Sequence, residues 1–385
     1  MTTEKLIPLN AAPGDQFGNS IFIFENYAII GALKDSTQNQ EDPTGCVYIF
    51  KNTDGHWRQT CKLLPPLGDQ RDLFGRSVSM TNEYAIVSSV NVQAIQDQFE
   101  GKAYIFKNQG NDEFVLMDTL RPLDDISSSQ FGYPVSISGD IAVVGAPQNE
   151  IDGQPGVGSV YIYYREGSTW VQRQKLVAET GEFRDAFGSS ICLSKNKLVV
   201  GVPGDDISGR SNQGSVYYFH LKDFGVTRQI KIVAQDGLAN ASFGSSVDIK
   251  NNRIIIGAPG DLIEGHLRQG SAYIYEIRND EIFFLKKLKA FDGEALDDFG
   301  EGVSIDKNLA IVSIPRKSVA GIQTHGKVYV YRKFLWWWIG IRTLTDLNPE
   351  VGISMIKTIS LYSNTIGFGL PHFRMLQGKT IMVEL

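Results

Sequence analysis

The pair Phe-Gly recurs along this chain with a period that limits the possible fold more than any other feature. It stands at Phe17-Gly18, Phe74-Gly75, Phe131-Gly132, Phe187-Gly188, Phe243-Gly244 and Phe299-Gly300, at successive spacings of 57, 57, 56, 56 and 56 residues. Fourteen residues after each Phe comes Gly31, Ser88, Gly145, Gly201, Gly257 or Ser313, and in four copies a Pro follows two positions later. A Gly opening an alternating run stands at Gly45, Gly101, Gly158, Gly214, Gly270 and Gly326, and a Leu or Ile lies 11 residues ahead of each Phe-Gly. A seventh copy is degenerate but in register. Met355 takes the place of the Phe, Gly369-Leu370-Pro371 follows fourteen residues later, and Leu344 and Gly378 hold the other two landmarks.

Within a copy, four short segments alternate apolar and polar residues, as at 189–194, 198–202, 215–219 and 227–233, separated by Gly, Asn and Asp. Period-two alternation between turn residues predicts antiparallel strands. A long repeat with four strands each is the signature of a propeller. The chain therefore reads as all-β: one seven-bladed β-propeller of four-stranded antiparallel blades over residues 1–385, its blade landmarks beginning near 17, 74, 131, 187, 243, 299 and 355. The last copy has only three strands. Lys5-Leu6-Ile7-Pro8 matches Lys62-Leu63-Leu64-Pro65, so residues 4–8 are expected to complete the last blade and close the ring. Closure leaves no sheet open at the seam.

Phe-Gly, then Gly-Ala-Pro, then Gly-x-Val-Tyr resembles the FG-GAP repeat of the integrin α-chain head and its bacterial and fungal relatives. The resemblance covers essentially the whole chain and implies a propeller used for adhesion, protein contacts or sugar binding. Such repeats often carry an Asp-rich calcium loop between the first two strands of a blade. Here those connections are only two or three residues, for example Glu25-Asn26, Gly139-Asp140, Asn251-Asn252 and Ser363-Asn364. Calcium takes about six to eight oxygen ligands, so the calcium sites are not carried over and no cofactor is expected.

Composition narrows the function classes. A net charge of −6 speaks against non-specific nucleic-acid binding, and the polar opening Met1-Thr2-Thr3-Glu4-Lys5 has no secretory core behind it. The longest apolar run, 334–341, is too short to span a bilayer. The expectation is a soluble, monomeric chain without a membrane span or signal peptide, cytoplasmic or exported by another route. Cys46, Cys61 and Cys192 form no CxxC pair. The first two fall on neighbouring strands, as cross-strand neighbours or as two separate thiols, the latter being the ordinary reading of an odd count. Five scattered His (56, 220, 266, 325, 372) show no metal spacing, and no phosphate loop or nucleophile elbow is present. An enzyme is not expected; a hydrolase is the least favoured alternative.

Two features remain. In the run Phe334-Leu335-Trp336-Trp337-Trp338, Trp338 lies six residues before Leu344 as Trp57 lies before Leu63, which places it in the core. Trp336 and Trp337 have no equivalents. They suit a contact surface or a sugar platform, against the ordinary reading of packing on a neighbouring blade. The second feature is charge. The connections from strand four to the next strand one, and from strand two to strand three, emerge on one face. They hold 26 acidic and 8 basic residues, leaving that face near −18 and the rest near +12. Asp favours turns, but that does not explain the scarcity of bases, and a field of one sign steers ligands of the other.

The sequence thus points to an interaction module whose acidic long-loop face takes a protein partner, a basic one by charge complementarity, with Asp205, Asp206, Asp261, Glu264, Trp336 and Trp337 as candidate contacts. The alternative is a lectin with glycan sites between blades, although the strand two-to-three loops repeat poorly. Calcium gives the first test: EDTA is expected to leave the melting temperature unchanged, and a large downward shift would reveal an overlooked site.

Overall fold

The second segment of each repeat is apolar at nearly every position, as in Tyr27–Ala32 (YAIIGA) and Leu309–Ile314 (LAIVSI). Such a strand must be covered on both faces, and a radial array of blades supplies that cover. The outer segments alternate instead, as in Thr169–Leu176 (TWVQRQKL), where Trp170 is buried and the residues beside it are exposed or half-buried. The structure, a computed structural model, describes residues 2–35, 44–66, 73–90, 101–124, 129–315, 326–335, 337–345, 356, 358–371 and 378–385. These contain seven four-stranded antiparallel sheets and no helix. Six sheets run in chain order from the innermost strand outward. The seventh is completed by Thr2–Leu6, which pairs with Lys379–Glu384 in the register Thr2↔Glu384 to Leu6↔Thr380. The expected closure is present, slightly nearer the N-terminus than 4–8.

Seven apolar clusters occupy the seven gaps between blades, including the seam, where Leu6, Phe17 and Met382 pack with Tyr48 and Phe50. Each Phe of the Phe-Gly pairs is at most 1% exposed. Each lies edge-on or tilted against the strand-three Tyr of its own blade, from Phe17–Tyr48 to Phe299–Tyr329, at centroid distances of 5.2–5.7 Å. Burying one Phe is worth roughly 1.5–3 kcal/mol and an aromatic pair adds about 0.5–1.5 kcal/mol, so this step recurs with similar weight around the ring. Met355 of the seventh copy lies outside the described residues.

The Gly of each pair has φ between 89° and 104° and donates its N–H within its own blade, as from Gly244 to Gly257 O at 2.9 Å. In five of the six pairs its carbonyl presses on the Gly that holds the second landmark of the preceding blade; for Gly132 that residue is Ser88. A Cβ on Gly31, Gly145, Gly201, Gly257 or Gly369 would stand 1.9–2.5 Å from the carbonyl oxygen of Gly75, Gly188, Gly244, Gly300 or Gly18. Beside this contact, Ser20, Ser190 and Ser246 donate their hydroxyls to the same carbonyls at 2.7–2.8 Å, and Thr358 does so across the seam to Gly18 O at 3.2 Å. Blade six exchanges the pair: Gly302 stands on strand one opposite Ser313, where blade five has Ser246 opposite Gly257. That exchange accounts for Ser313; in blade two Ser88 instead stands opposite Ser77, donating its N–H to Ser77 O at 3.0 Å and accepting the Ser77 N–H on its hydroxyl at 2.9 Å.

Trp57, Trp170 and Trp338 are each buried. Cys61 pairs with Ile49, while Cys46 is buried and donates to Asp35, so the two are separate thiols.

Gly257→Ala should cost about 2–4 kcal/mol of stability, because backbone from the next blade occupies the Cβ position. Gly225→Ala, at an ordinary φ with no atom nearer than 3.6 Å, should stay within about 0.5 kcal/mol of the wild type. Denaturant melts of the two variants check this.

Candidate functional site

The two ends of each blade are unlike. At one end the strand one-to-two turns are two-residue reversals. Each is tied to strand three by a backbone bond, as in Asn52 N–H to Asn26 O at 2.7 Å and Lys333 N–H to Asn308 O at 2.8 Å. At the other end the strand two-to-three loop of one blade lies beside the connection into the next. Arg184, Ala186 and Phe187 donate to Pro155, Gly156 and Val157. The same ladder joins Asn240, Ser242 and Phe243 to Ser211, Asn212 and Gln213, and Leu296, Asp298 and Phe299 to Leu267, Arg268 and Gln269. Over blades three to six the long loops therefore form one continuous surface.

Its acids fall into two populations. Asp205 and Asp261 are 5% and 1% exposed and turn inward. Asp261 accepts from Ser271 at 2.7 Å and Tyr273 at 3.0 Å and pairs with Lys287 at 2.7 Å. Asp205 accepts from Ser215 and pairs with Lys231 at 2.7 Å. Asp35 repeats the arrangement with Cys46, Tyr48 and Lys62, and in blade three Asn149 stands in the same place, bonded to Ser159 and Tyr161. The lysines reach there from the outer strand, directly opposite the strand-three Tyr and 4.9–5.6 Å from its ring centroid. Lys175, Lys287 and Lys327 also pair with Asp124, Asp236 and Asp292 of the connecting loops. A charge count that groups strand lysines with the opposite side therefore overstates the field of this face.

Asp206 and Glu264 are exposed and belong to the surface, Glu264 beside Lys289 at 3.1 Å. Around them stand exposed apolar residues that sequence patterning passed over: Phe183, Leu238, Leu262, and above all Leu267 and Leu296, 61% and 60% exposed and joined by a backbone bond of 2.9 Å. Polar loops hide such residues from a periodicity argument. Trp337 is 68% exposed, so it does not pack on a neighbouring blade; it lies on the outer strand of blade six, away from this face. Trp336 falls outside the described residues.

The central channel is a second feature missed from sequence. One strand-one position recurs at Phe22, Ser79, Ser136, Cys192, Asp248, Ser304 and Ser360, among the residues lining a cavity of about 800 Å³. From it Ser79, Ser136, Asp248, Ser304 and Ser360 accept the N–H of the next blade's Ile137, Leu193, Ile305, Leu361 and Ile23, the last across the seam. Cys192 donates to Asp248 at 3.1 Å. Burial pushes the Asp248 carboxyl up and the Cys192 thiol well up. A thiol held protonated is a poor nucleophile, and the ring reads as a polar seam between blades. Lys250 crosses the channel onto the rings of Tyr362 and Phe24, at 4.6 and 5.7 Å.

Among the described residues no three His, Cys, Asp or Glu side chains are grouped as metal ligands, and no helix is long and apolar enough to cross a membrane.

Comparison with known proteins agrees with this architecture. The FG-GAP repeat family model matches six segments, residues 1–50, 57–106, 115–163, 170–219, 226–275 and 284–331. No curated protein matches the chain in sequence. Among solved structures, Sqt1 of Chaetomium thermophilum is similar in fold, with a TM-score of 0.53 at 11% sequence identity over 94% of this chain and 82% of that one.

Asp185 offers a test of the inward-turned acids. Burial pushes its carboxyl up to about 6, the Glu182 N–H pulls it back, and the neighbouring Asp205 adds to the rise. A carboxyl whose pKa is raised by folding contributes stability below pH about 4 that is lost as pH rises through about 6. Asp185→Asn keeps an acceptor for Glu182 N–H and does not titrate. The variant should exceed the wild type by about 1–2 kcal/mol at pH 8, after discounting for solvent reaching the loop. The difference should shrink below pH 5, as read from melts across that range.

Proposed function

The chain belongs to the FG-GAP repeat family, and from that footing we propose that it is a non-enzymatic protein-interaction module that binds through its long-loop face. The observation that carries this reading is the apolar pair Leu267–Leu296, bridged by backbone across two adjacent loops and flanked by the exposed acids Glu264 and Glu294. A central apolar contact rimmed by charge is the ordinary anatomy of a protein interface. The acids on the rim favour a partner with Lys or Arg around an apolar centre and act chiefly on association rate. Asp205 and Asp261 serve this surface indirectly, by holding the loops on the strand lysines, so Asp206 and Glu264 are the contact candidates of the original four.

Immobilised full-length protein should retain a partner at low salt and release most of it as ionic strength rises, since exposed charges are screened beyond about 8 Å at physiological ionic strength. The combination Asp206→Asn, Glu264→Gln should slow association about tenfold at low salt. Leu267→Ser should speed dissociation, with the melting temperature unchanged in both. Retention unaffected by these substitutions would place the contact elsewhere, and specific signals on a glycan array without protein capture would favour the lectin. Asp261→Asn, by contrast, should destabilise the fold by about 1–2 kcal/mol, because Lys287 loses its buried partner and keeps only the more exposed Asp236.

A further inference from the structure

The outer hairpin of blade six has a tip that folding does not account for. Its third and outer strands, Lys327–Phe334 and Trp337–Leu344, match the other blades in length. At the turn, other blades place Asp54, Gly167, Asp223 or Asn279, residues that tolerate or favour a left-handed backbone. Blade six places Leu335 there, at φ 51° and 86% exposed. A branched apolar side chain in that conformation is strained, and in water it gains nothing from burial. Phe334 and Trp337 sit opposite one another on the same face, 50% and 68% exposed, with Ile339 following at 50%. His56, Thr169, Gly225 and Glu281 hold the place of Trp337 elsewhere.

The surface beside this tip is cationic and structurally continuous with it. Lys333 donates its N–H to Asn308 O, and Arg253 donates to the carbonyl of Lys307 from the adjacent blade. Lys197 donates to Asn252 at 2.5 Å, which ties in the blade-four turn. A groove of about 460 Å³ runs along these turns, lined by Lys195, Lys197, Lys250, Arg253 and Lys307 with Glu276 as its one acid. Glu276 is engaged by Arg278, and by Arg253 at 3.7 Å. Of the other nearby acids, Asp306 is buried and accepts the N–H of Ser363, and Asp280 faces His220.

We propose that the blade-six hairpin and the cationic turns beside it form a docking surface for an anionic lipid bilayer. Leu335 enters the acyl boundary, Trp337 settles at headgroup depth, and Lys195, Lys197, Lys307 and Lys333 meet the lipid phosphates and carboxylates. Exposed Leu beside exposed Trp, backed by Lys and Arg, is the chemistry of interfacial anchoring, and the cations select anionic headgroups. This surface is the short-turn side of the ring, opposite the long loops, so a protein partner and a membrane could be held at once.

Sedimentation of the full chain with phosphatidylcholine vesicles, with and without phosphatidylserine, tests the proposal. The wild type should sediment only with phosphatidylserine present, and less as salt rises. Leu335→Asn with Trp337→Ser should weaken sedimentation about tenfold or more. It should melt no lower than the wild type, because Asn suits the turn. Lys195→Glu with Lys307→Glu should weaken sedimentation similarly, and Glu264→Gln on the far face should leave it unchanged. Failure of the wild type to sediment with phosphatidylserine, or equal sedimentation of the hairpin variant, would overturn the proposal. A wild-type dimer on size exclusion that the hairpin variant converts to monomer, without vesicle binding, would assign the hairpin to a second copy of the chain instead. None of these outcomes depends on the long-loop face.

Discussion

The ring depends on a close approach of backbone to backbone. The carbonyls of five of the six Phe-Gly glycines press on the α-carbon of a Gly in the preceding blade, with no room for a Cβ between them at Gly31, Gly145, Gly201, Gly257 and Gly369. Because the contact involves main chain, its spacing cannot drift with side-chain choice. It sets how near the inner strands of those neighbouring blades stand, and thereby the thickness of the apolar gaps between them. The hydroxyls of Ser20, Ser190, Ser246 and Thr358 finish the contact by satisfying the pressed carbonyls, which would otherwise be buried at a cost. On the channel side, the Ser and Asp ring performs the complementary task for the inner-strand N–H groups.

That geometry creates two unlike faces. Strands one and two, and strands three and four, are joined by tight reversals on one side of the ring, while the connections from strand two to three and from blade to blade are longer and lie together on the other. The long loops are anchored by a repeated ion-pair unit of loop Asp, strand-three Ser or Cys and Tyr, and outer-strand Lys. Its charges are mutually neutralised and largely removed from solvent. A buried pair of this kind contributes little net stability against an apolar substitute but is costly to break, which suits a device that holds a loop in one place. What remains outward on this face is apolar residues with an acidic rim. On the other, around blades four to six, Lys and Arg line the groove beside an apolar tip, with Asp223, Asp280 and Glu281 at the outer turns of blades four and five.

Copy number, strand order and ring closure were legible in the sequence because they rest on local, repeated demands. Phe-Gly, Gly-Ala-Pro and Gly-x-Val-Tyr each meet one backbone or packing requirement, and the match of Lys5-Leu6 to Lys62-Leu63 identified the closing strand. The burial of Trp338 followed from the same register. The solvent-exposed residues obey no such rule, since Leu267, Leu296 and Leu335 sit in turns where periodicity is silent.

The sequence by itself therefore determined the seven-bladed β-propeller, its seam and the ends of the blades at which loops are long or short. Only the tertiary structure decided which charges reach solvent. Asp205 and Asp206 are neighbours in the chain, yet one is buried against Lys231 and the other is exposed. A Lys on an outer strand can neutralise a loop far from it in sequence, because antiparallel pairing sets it opposite the strand-three Tyr. Charge at a surface is a sum over neighbours in space, and the chain order does not carry that sum.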